Sequence, residues 1–442
     1  MHLVVLAFRL LTFPLGLLLG LGPRAVRVRW MELLNRAAPG TLDSGVQALA
    51  RALVEPYVLF GDFVEMATDP FGFQRARQLA YGGTFVHGRC VVFTDYATVH
   101  RHMTQSTQRK AHMSPITGQD KHPLGPVSGQ QFFISVHDDL YKERRKFLAK
   151  HLFRPSITAI DGADAVFKAC KSVETGTFDA DDVTRTMTQV LNAVILGAEL
   201  SPSHLELFVS YSFKASGFPP WILSTLLRSE LKRQQTNGPK MRDAYRSLPQ
   251  VQAAITQLEG RNATADQPIP TDLLLSDLVD GIQFAGVFGM TGTAEQLAAF
   301  IDARPEMARI VKEEADTHAP DGILTVATLA KMEKTNGVTW EAMRLNPTPM
   351  AVLQVAEAPF EAVIRGRALT FPAGTPMSLS IQCANRDPAA FPDPDAVVLD
   401  RPVESYINFN GPFSGAPRGC MGSEFAFVLC KMFLVNMVLA RA

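Results

Sequence analysis

The sequence predicts a mostly α protein with small β-sheets. Apolar residues recur at three- and four-residue spacing over 44–75, and 137–153 and 424–439 also read as helical runs. Strand-like sequence comes only in short pieces, a hairpin pattern at 82–95 and strands with a turn at Pro372-Ala373-Gly374 within 360–377. With 442 residues, of which 47% are hydrophobic, the chain can bury a sizeable core. Length alone would suggest two or three domains.

Composition narrows the class. The formal net charge is zero, so nothing points to nucleic acid as a partner. Five cysteines, Cys90, Cys170, Cys383, Cys420 and Cys430, are scattered, odd in number and contain no Cys-x-x-Cys pair. That pattern fits a reducing compartment and one functional thiolate, not a disulfide framework. Neither internal repeats nor low-complexity tracts are present.

Taken in order, the chain opens on an almost wholly apolar run from Leu3 to Leu21. A bilayer span needs roughly 20 such residues. Arg9 and Pro14 interrupt the run, and Arg24, Arg27 and Arg29 follow it, a basic flank that favours the cytosolic side. Three readings fit residues 1–30: a membrane anchor, an amphipathic or core-packed helix, or a cleaved signal. Arg9 disfavours a deep span, and the lack of a small-residue cleavage pattern disfavours the signal. Residues 82–95 then read as a hairpin with a polar turn, and Tyr96 to Met103 opens a helix. His137 to Phe153 is basic and helical, with Tyr141 and Arg145 one turn apart on a face. Residues 157–249 are mixed helical segments with turn clusters at Ser201-Pro202-Ser203 and Gly217-Phe218-Pro219-Pro220, and 261–270 is a polar loop. A long helix starts near Thr271. Glu341 and Arg344 stand three apart, which places carboxylate and guanidinium on one helix face. Asn346-Pro347 and Pro349 end that helix.

Near the C-terminus, a loop rich in glycine and proline runs from Phe409 to Gly422 and carries Cys420 at the start of the apolar helix 424–439. Backbone N–H groups at a helix start favour a thiolate. A thiolate on a glycine loop, with Arg418 two residues earlier, suits an axial ligand to haem iron, with Arg418 towards a propionate. A buried structural cysteine before a helix is the alternative for so short a pattern. The ordered residues Phe413-x-Gly415-Ala416-Pro417-Arg418-x-Cys420-x-Gly422 resemble the haem-binding signature of the cytochrome P-450 family, except that Ala416 stands where the family usually has glycine. Two further matches strengthen the resemblance, the Glu341-x-x-Arg344 pair with Arg401 following, and Ala384-Asn385-Arg386-Asp387-Pro388 through Asp395. The likeness covers about residues 80 to 442.

The resemblance implies one α-rich domain over 31–442 that binds haem b, and a lipophilic small-molecule substrate. Phe413, Gly415, Arg418, Cys420 and Gly422 would form the haem loop, with Cys420 on the iron. Tyr141 and Arg145 would serve a propionate, Tyr141 replacing the usual Trp or His. Glu341, Arg344 and Arg401 would form a structural lock behind the loop. The helix from Thr271 would cross the haem face. Counting back from Arg304-Pro305-Glu306 matches Ala285-Gly286 to the family's Ala/Gly-Gly pair. The usual acid and alcohol then become Phe288 and Gly289, and the proton relay is absent. Thr291 lies two residues further on and points elsewhere. Gln283 either faces the cavity or caps a helical kink. The family normally adds a C-terminal hairpin beyond Ala442.

Two shorter matches point within the family. Asp400-Arg401-Pro402 with Ser405-Tyr406-Ile407 resembles the fungal P-450 domains that isomerise fatty-acid hydroperoxides, and Asn410-Gly411-Pro412 resembles the plant allene oxide synthases. Three functions follow as expectations. The first is a fatty-acid hydroperoxide isomerase or dehydratase, which needs neither reductase nor proton relay. The second is a monooxygenase fed by NADPH through a reductase, membrane-associated and facing the cytosol or else soluble in the cytoplasm. The third is a haem-binding protein without turnover.

Overall fold

The structure, a computed structural model, describes residue 65 and residues 70–87, 90–104, 109–111, 139–211, 228–356, 358–364, 366–409, 411–412 and 419–441. The apolar run at 3–21, the helical pattern over 44–69 apart from residue 65, and the loop residues 413–418 lie outside them. The chain divides into two compact units, residues 1–109 with 350–394 and residues 110–349 with 395–442.

The first unit carries most of the sheet. Helix α1 (Pro70–Tyr81) ends at Gly82, whose φ of 90° lets the chain turn directly into a hairpin. Strands β1 (Thr84–His87) and β2 (Cys90–Phe93) pair antiparallel with Thr84 opposite Phe93, as the sequence predicts. Helix α2 (Tyr96–Thr104) follows, and Asp387 Oδ2 accepts the Tyr96 N–H at 2.8 Å. Four strands return late in the chain: β3 (Ala351–Ala356), β4 (Phe360–Ile364), β5 (Arg367–Phe371) and β6 (Pro376–Ser380). Strands β1, β2, β6 and β3 lie side by side in that order, β2 and β6 parallel and the other pairs antiparallel. Strands β4 and β5 form their own hairpin. Gly374, at φ 84°, makes the predicted turn into β6.

The second unit is helical. It contains α3 (Asp139–His151), α4 (Ala180–Leu196), α5 (Arg228–Ser247), α6 (Thr271–Asp302), α7 (Pro305–His318), α8 (Val326–Lys331), α9 (Glu333–Leu345) and α10 (Ser423–Ala440). Two short strands, β7 (Ile407–Asn408) and β8 (Gly411–Pro412), pair between α9 and α10. Pro305 opens α7 at its first position, where the missing N–H costs nothing. Asp179 caps α4 by accepting the Asp181 and Asp182 N–H groups, and Gly197 ends it in the left-handed region at φ 57°. At Gly337 a side chain would collide with the Leu399 carbonyl and stand 2.8 Å from the Leu399 Cβ, so α9 meets the chain near Leu399 backbone to backbone.

Among the described residues two helices are long and apolar enough to cross a membrane, α6 and α10. Their apolar stretches are 62% and 61% buried within the protein, so both are core helices here. Helix α6 is not uniform. Residues 271–278 and 289–302 wind as α-helix, whereas Val279–Phe288 winds as π-helix, with i→i+5 pairing.

Helix α10 carries one buried cation. Lys431 is 2% exposed, and its Nζ donates to the Leu329 carbonyl, to the Met332 carbonyl at 2.7 Å and to Asn336 Oδ1 at 2.7 Å. The acceptors surround the end of α8, where helix carbonyls attract a positive charge. Burial pulls the lysine down to about 7, with Glu314 acting in the other direction. The unfolded chain, near 10.5, therefore binds more protons between these two values. Stability is expected to rise with pH from about 7 to about 10.5. Urea midpoints measured across that window should climb in the parent and flatten in Lys431→Met, which is less stable throughout because three acceptors lose their donor.

Candidate functional site

The predicted ligand sits where strand, turn and helix converge. After β7 the chain turns at Phe409, a non-glycine residue at φ 52°, a conformation that needs outside support. The Phe409 carbonyl accepts the Cys420 N–H at 2.8 Å. The Gly422 N–H points at Cys420 Sγ, 3.3 Å away. A Cβ at Gly422 would stand 2.7 Å from the Phe425 ring, so any side chain there would have to push that ring aside. The Cys420 side chain is exposed by area and yet desolvated by surrounding protein, the condition of a group that faces an interior recess. That desolvation pushes its thiol up, while the Gly422 N–H and the Arg145 charge pull it back. Phe413, Gly415 and Arg418 lie outside the described residues.

Helix α3 joins this loop to α6. Arg145 donates to the Gly419 carbonyl, one residue before Cys420. Its neighbour Arg144 turns the other way, buried in a two-pronged pair with Asp277 of α6 that includes Nε to Oδ2 at 2.8 Å. Burial raises the Asp277 carboxyl to about 6 against the pull of Arg144. Tyr141 occupies the α3 turn before Arg145.

Glu341, Arg344 and Arg401 lie together in the structure, and Tyr406 joins them. Glu341 and Arg344 are both fully buried and pair through Nε to Oε1 at 2.6 Å and Nη2 to Oε2 at 2.8 Å. Arg401 Nε lies 3.6 Å from Oε1. The Tyr406 hydroxyl donates to Oε1 at 3.1 Å, and the Val398 N–H to Oε2 at 3.0 Å. Arg344 also reaches the Ala396 carbonyl at 2.9 Å. Tyr406, 65 residues from Glu341, was not anticipated.

On α6 the five predicted residues separate. Ala285 is exposed, Phe288 is 41% exposed, and a Cβ at Gly289 would meet no atom within 4 Å. These three border open space. Gly286 faces α4 instead, where a Cβ would stand 2.9 Å from Leu191 Cδ1. Gln283 does not join the open group either. It is 3% exposed, and its amide donates to the Tyr245 hydroxyl of α5 at 2.9 Å, since a buried amide must find a partner. Tyr245 is itself fully buried, and burial pushes its hydroxyl well above the usual range, against the hydrogen bonds with Gln283 and Asn192 of α4. The cavity-facing reading of Gln283 is therefore corrected. Among the described residues no group of three or more His, Cys, Asp or Glu side chains could hold a metal ion.

Comparison with known proteins decides the class. The sequence model described as cytochrome P-450 matches residues 81–440.

The chain belongs to the cytochrome P-450 family.

Among curated P-450 relatives, cytochrome P-450 4c21 of Blattella germanica is 28% identical over 180 residues, 39% of this chain and 35% of that protein. Cytochrome P-450 3A56 of Fundulus heteroclitus is 26% identical over 234 residues, 51% of this chain and 45% of that protein. Linoleate diol synthase of Gaeumannomyces graminis is 48% identical over 78 residues, 18% of this chain and 6% of that protein. The matches thus span less than half the length of these relatives. A retinoic-acid-bound cyanobacterial P-450 shares the fold, with TM-score 0.64 and 18% identity over 85% of this chain and 89% of that one. The mostly α fold with small sheets is thereby established.

Cytochrome P-450 proteins bind haem b, and the residues here fit it. A recess-facing sulfur carries an N–H donor, the sulfur's loop is held by Arg145, and the open face of α6 presents a small residue at Ala285 and none at Gly289. Sequence reasoning missed the Arg144–Asp277 pair. The signal was there in an isolated acid within the apolar Leu273-Leu274-Leu275-Ser276-Asp277-Leu278 run.

Proposed function

We propose that this P-450 acts on a lipophilic fatty-acid hydroperoxide as an isomerase or dehydratase, with Cys420 as the iron's ligand. The observation that carries the reading is the open face of α6. Phe288 puts an apolar ring there, and Gly289 beside it has no side chain at all. Neither group can pass a proton. Bound haem supplies a thiolate-ligated iron able to open an O–O bond. The chain's own part is to hold the sulfur, to seat an apolar substrate against Phe288 and Ala285, and to keep proton donors away from the reacting oxygens. The segment 48% identical to linoleate diol synthase supports the same direction. Glu341, Arg344 and Arg401, with Tyr406, hold the fold and do not touch substrate. Tyr141, Arg145 and Arg418 serve the propionates.

The test is direct. Purified, haem-loaded protein is mixed with a fatty-acid hydroperoxide and no reductant, and the peroxide is followed with time. Consumption without NADPH is the expected result. Turnover that requires NADPH and a reductase would establish the monooxygenase alternative, and no turnover under either condition would leave haem binding alone. The membrane reading of residues 1–30 is checked separately, by whether deleting them releases the protein from the membrane fraction.

A further inference from the structure

Four aromatic rings behind the cysteine loop do more than fill space. Trp340, on α9 next to Glu341, stacks on Tyr406 (5.5 Å between centroids, 13° between planes) and on Phe427 of α10 (4.4 Å, 18°). The Phe409 ring meets the indole edge-on, at 6.1 Å and 90°. Phe409 is also the residue held at φ 52°, which an aromatic residue adopts only when its surroundings fix it. Its carbonyl, set by that backbone conformation, takes the Cys420 N–H. A connected path therefore runs from the indole through one ring and one peptide to the predicted ligand.

We infer that Trp340 is a positioning residue for Cys420, acting through Phe409. The inference rests on Cys420 being the iron's ligand. Trp340 stacks on two rings and is 5% exposed, so it offers Phe409 a fixed neighbour. The edge-to-face contact keeps the Phe409 ring in place, the ring keeps the peptide in the left-handed region, and the peptide fixes the direction of the Cys420 N–H. With that N–H fixed and the Gly422 N–H on the sulfur, the side chain has one direction left to it. A cluster that only packed would have no reason to keep an aromatic residue at positive φ.

The experiment compares haem-loaded Trp340→Leu, Trp340→Phe, Phe409→Gly, Tyr406→Phe and Cys420→Ala. The readouts are the share of the reduced carbonyl complex that shows the thiolate band, the ferric–ferrous potential, and the melting of the haem-free protein by circular dichroism. Phe409→Gly is the decisive variant, because glycine accepts φ 52° without strain and Trp340 stays in place. A several-fold fall in the thiolate share, per haem bound, is expected in Phe409→Gly and Trp340→Leu, with recovery in Trp340→Phe. Tyr406→Phe keeps its ring and should keep the band while melting earlier. A full thiolate share in folded Phe409→Gly overturns the inference, whether or not Trp340→Leu folds. Cys420→Ala separates the two levels: a surviving band there defeats the ligand assignment, whereas its loss there beside intact bands in the aromatic variants defeats only the positioning role.

Discussion

Cys420→Ala is expected to abolish the thiolate signature of the reduced carbonyl complex and to bring turnover down to background. The reason lies in how each cysteine is placed. Cys420 lies just before the long apolar helix α10, receives the Gly422 N–H at sulfur and is the exposed one of the five cysteines. Cys430, ten residues later in α10, is wholly buried among apolar side chains, and burial pushes its thiol up to about 12. A sulfur so enclosed leaves no room beside it for a haem. Cys170 and Cys383 are buried as well, and desolvation raises both. Cys90 lies in β2 with its thiol raised to about 12. Substituting any of these four should leave the spectrum in place. A thiolate band in Cys420→Ala would end the assignment.

The second large effect is expected from Glu341→Ala. One carboxylate here takes hydrogen bonds from Arg344, Tyr406 and the Val398 N–H, and lies beside Arg401. Removing one partner of a buried charge pair costs roughly 3–5 kcal/mol, because the other charge is left in a medium that cannot solvate it. Whole proteins hold only about 5–15 kcal/mol in reserve. Glu341→Ala should therefore express largely as aggregate or lose its haem, measured as soluble yield and haem per chain. Tyr406→Phe should cost about 1 kcal/mol, the usual net worth of one hydrogen bond. A soluble, haem-loaded Glu341→Ala with a changed product would contradict the structural role.

What the sequence revealed follows physical range. The β1–β2 hairpin, the α7 start at Pro305 and the Glu341–Arg344 pair depend on neighbours within a few residues, and they stand where local patterns place them. Strand β3 went unread, because Asn346-Pro347 and Pro349 dominate the pattern just before it. Tyr406 could not be foreseen as a lock member, since its hydroxyl meets Glu341 only after the chain has folded back. Arg144 and Arg145 are adjacent and chemically alike, and only the direction of each side chain assigns one to Asp277 and the other to the cysteine loop. Of the two readings of Gln283, the one facing the cavity gives way to a buried contact with Tyr245 for a related reason. A residue's face on α6 depends on how that helix winds, and the π segment is invisible to a count of residues.

That winding has a mechanical consequence. A π turn spends more residues than an α turn, so Val279–Phe288 stores surplus chain between two fixed ends. Before it, Asp277 is tied to Arg144. After it, Met290, Ala294 and Leu297 are packed in the core. Phe288 is the last residue of that segment, so the extra winding sets which side of the α6 axis its ring stands on, while the anchors at both ends fix where the winding begins and stops.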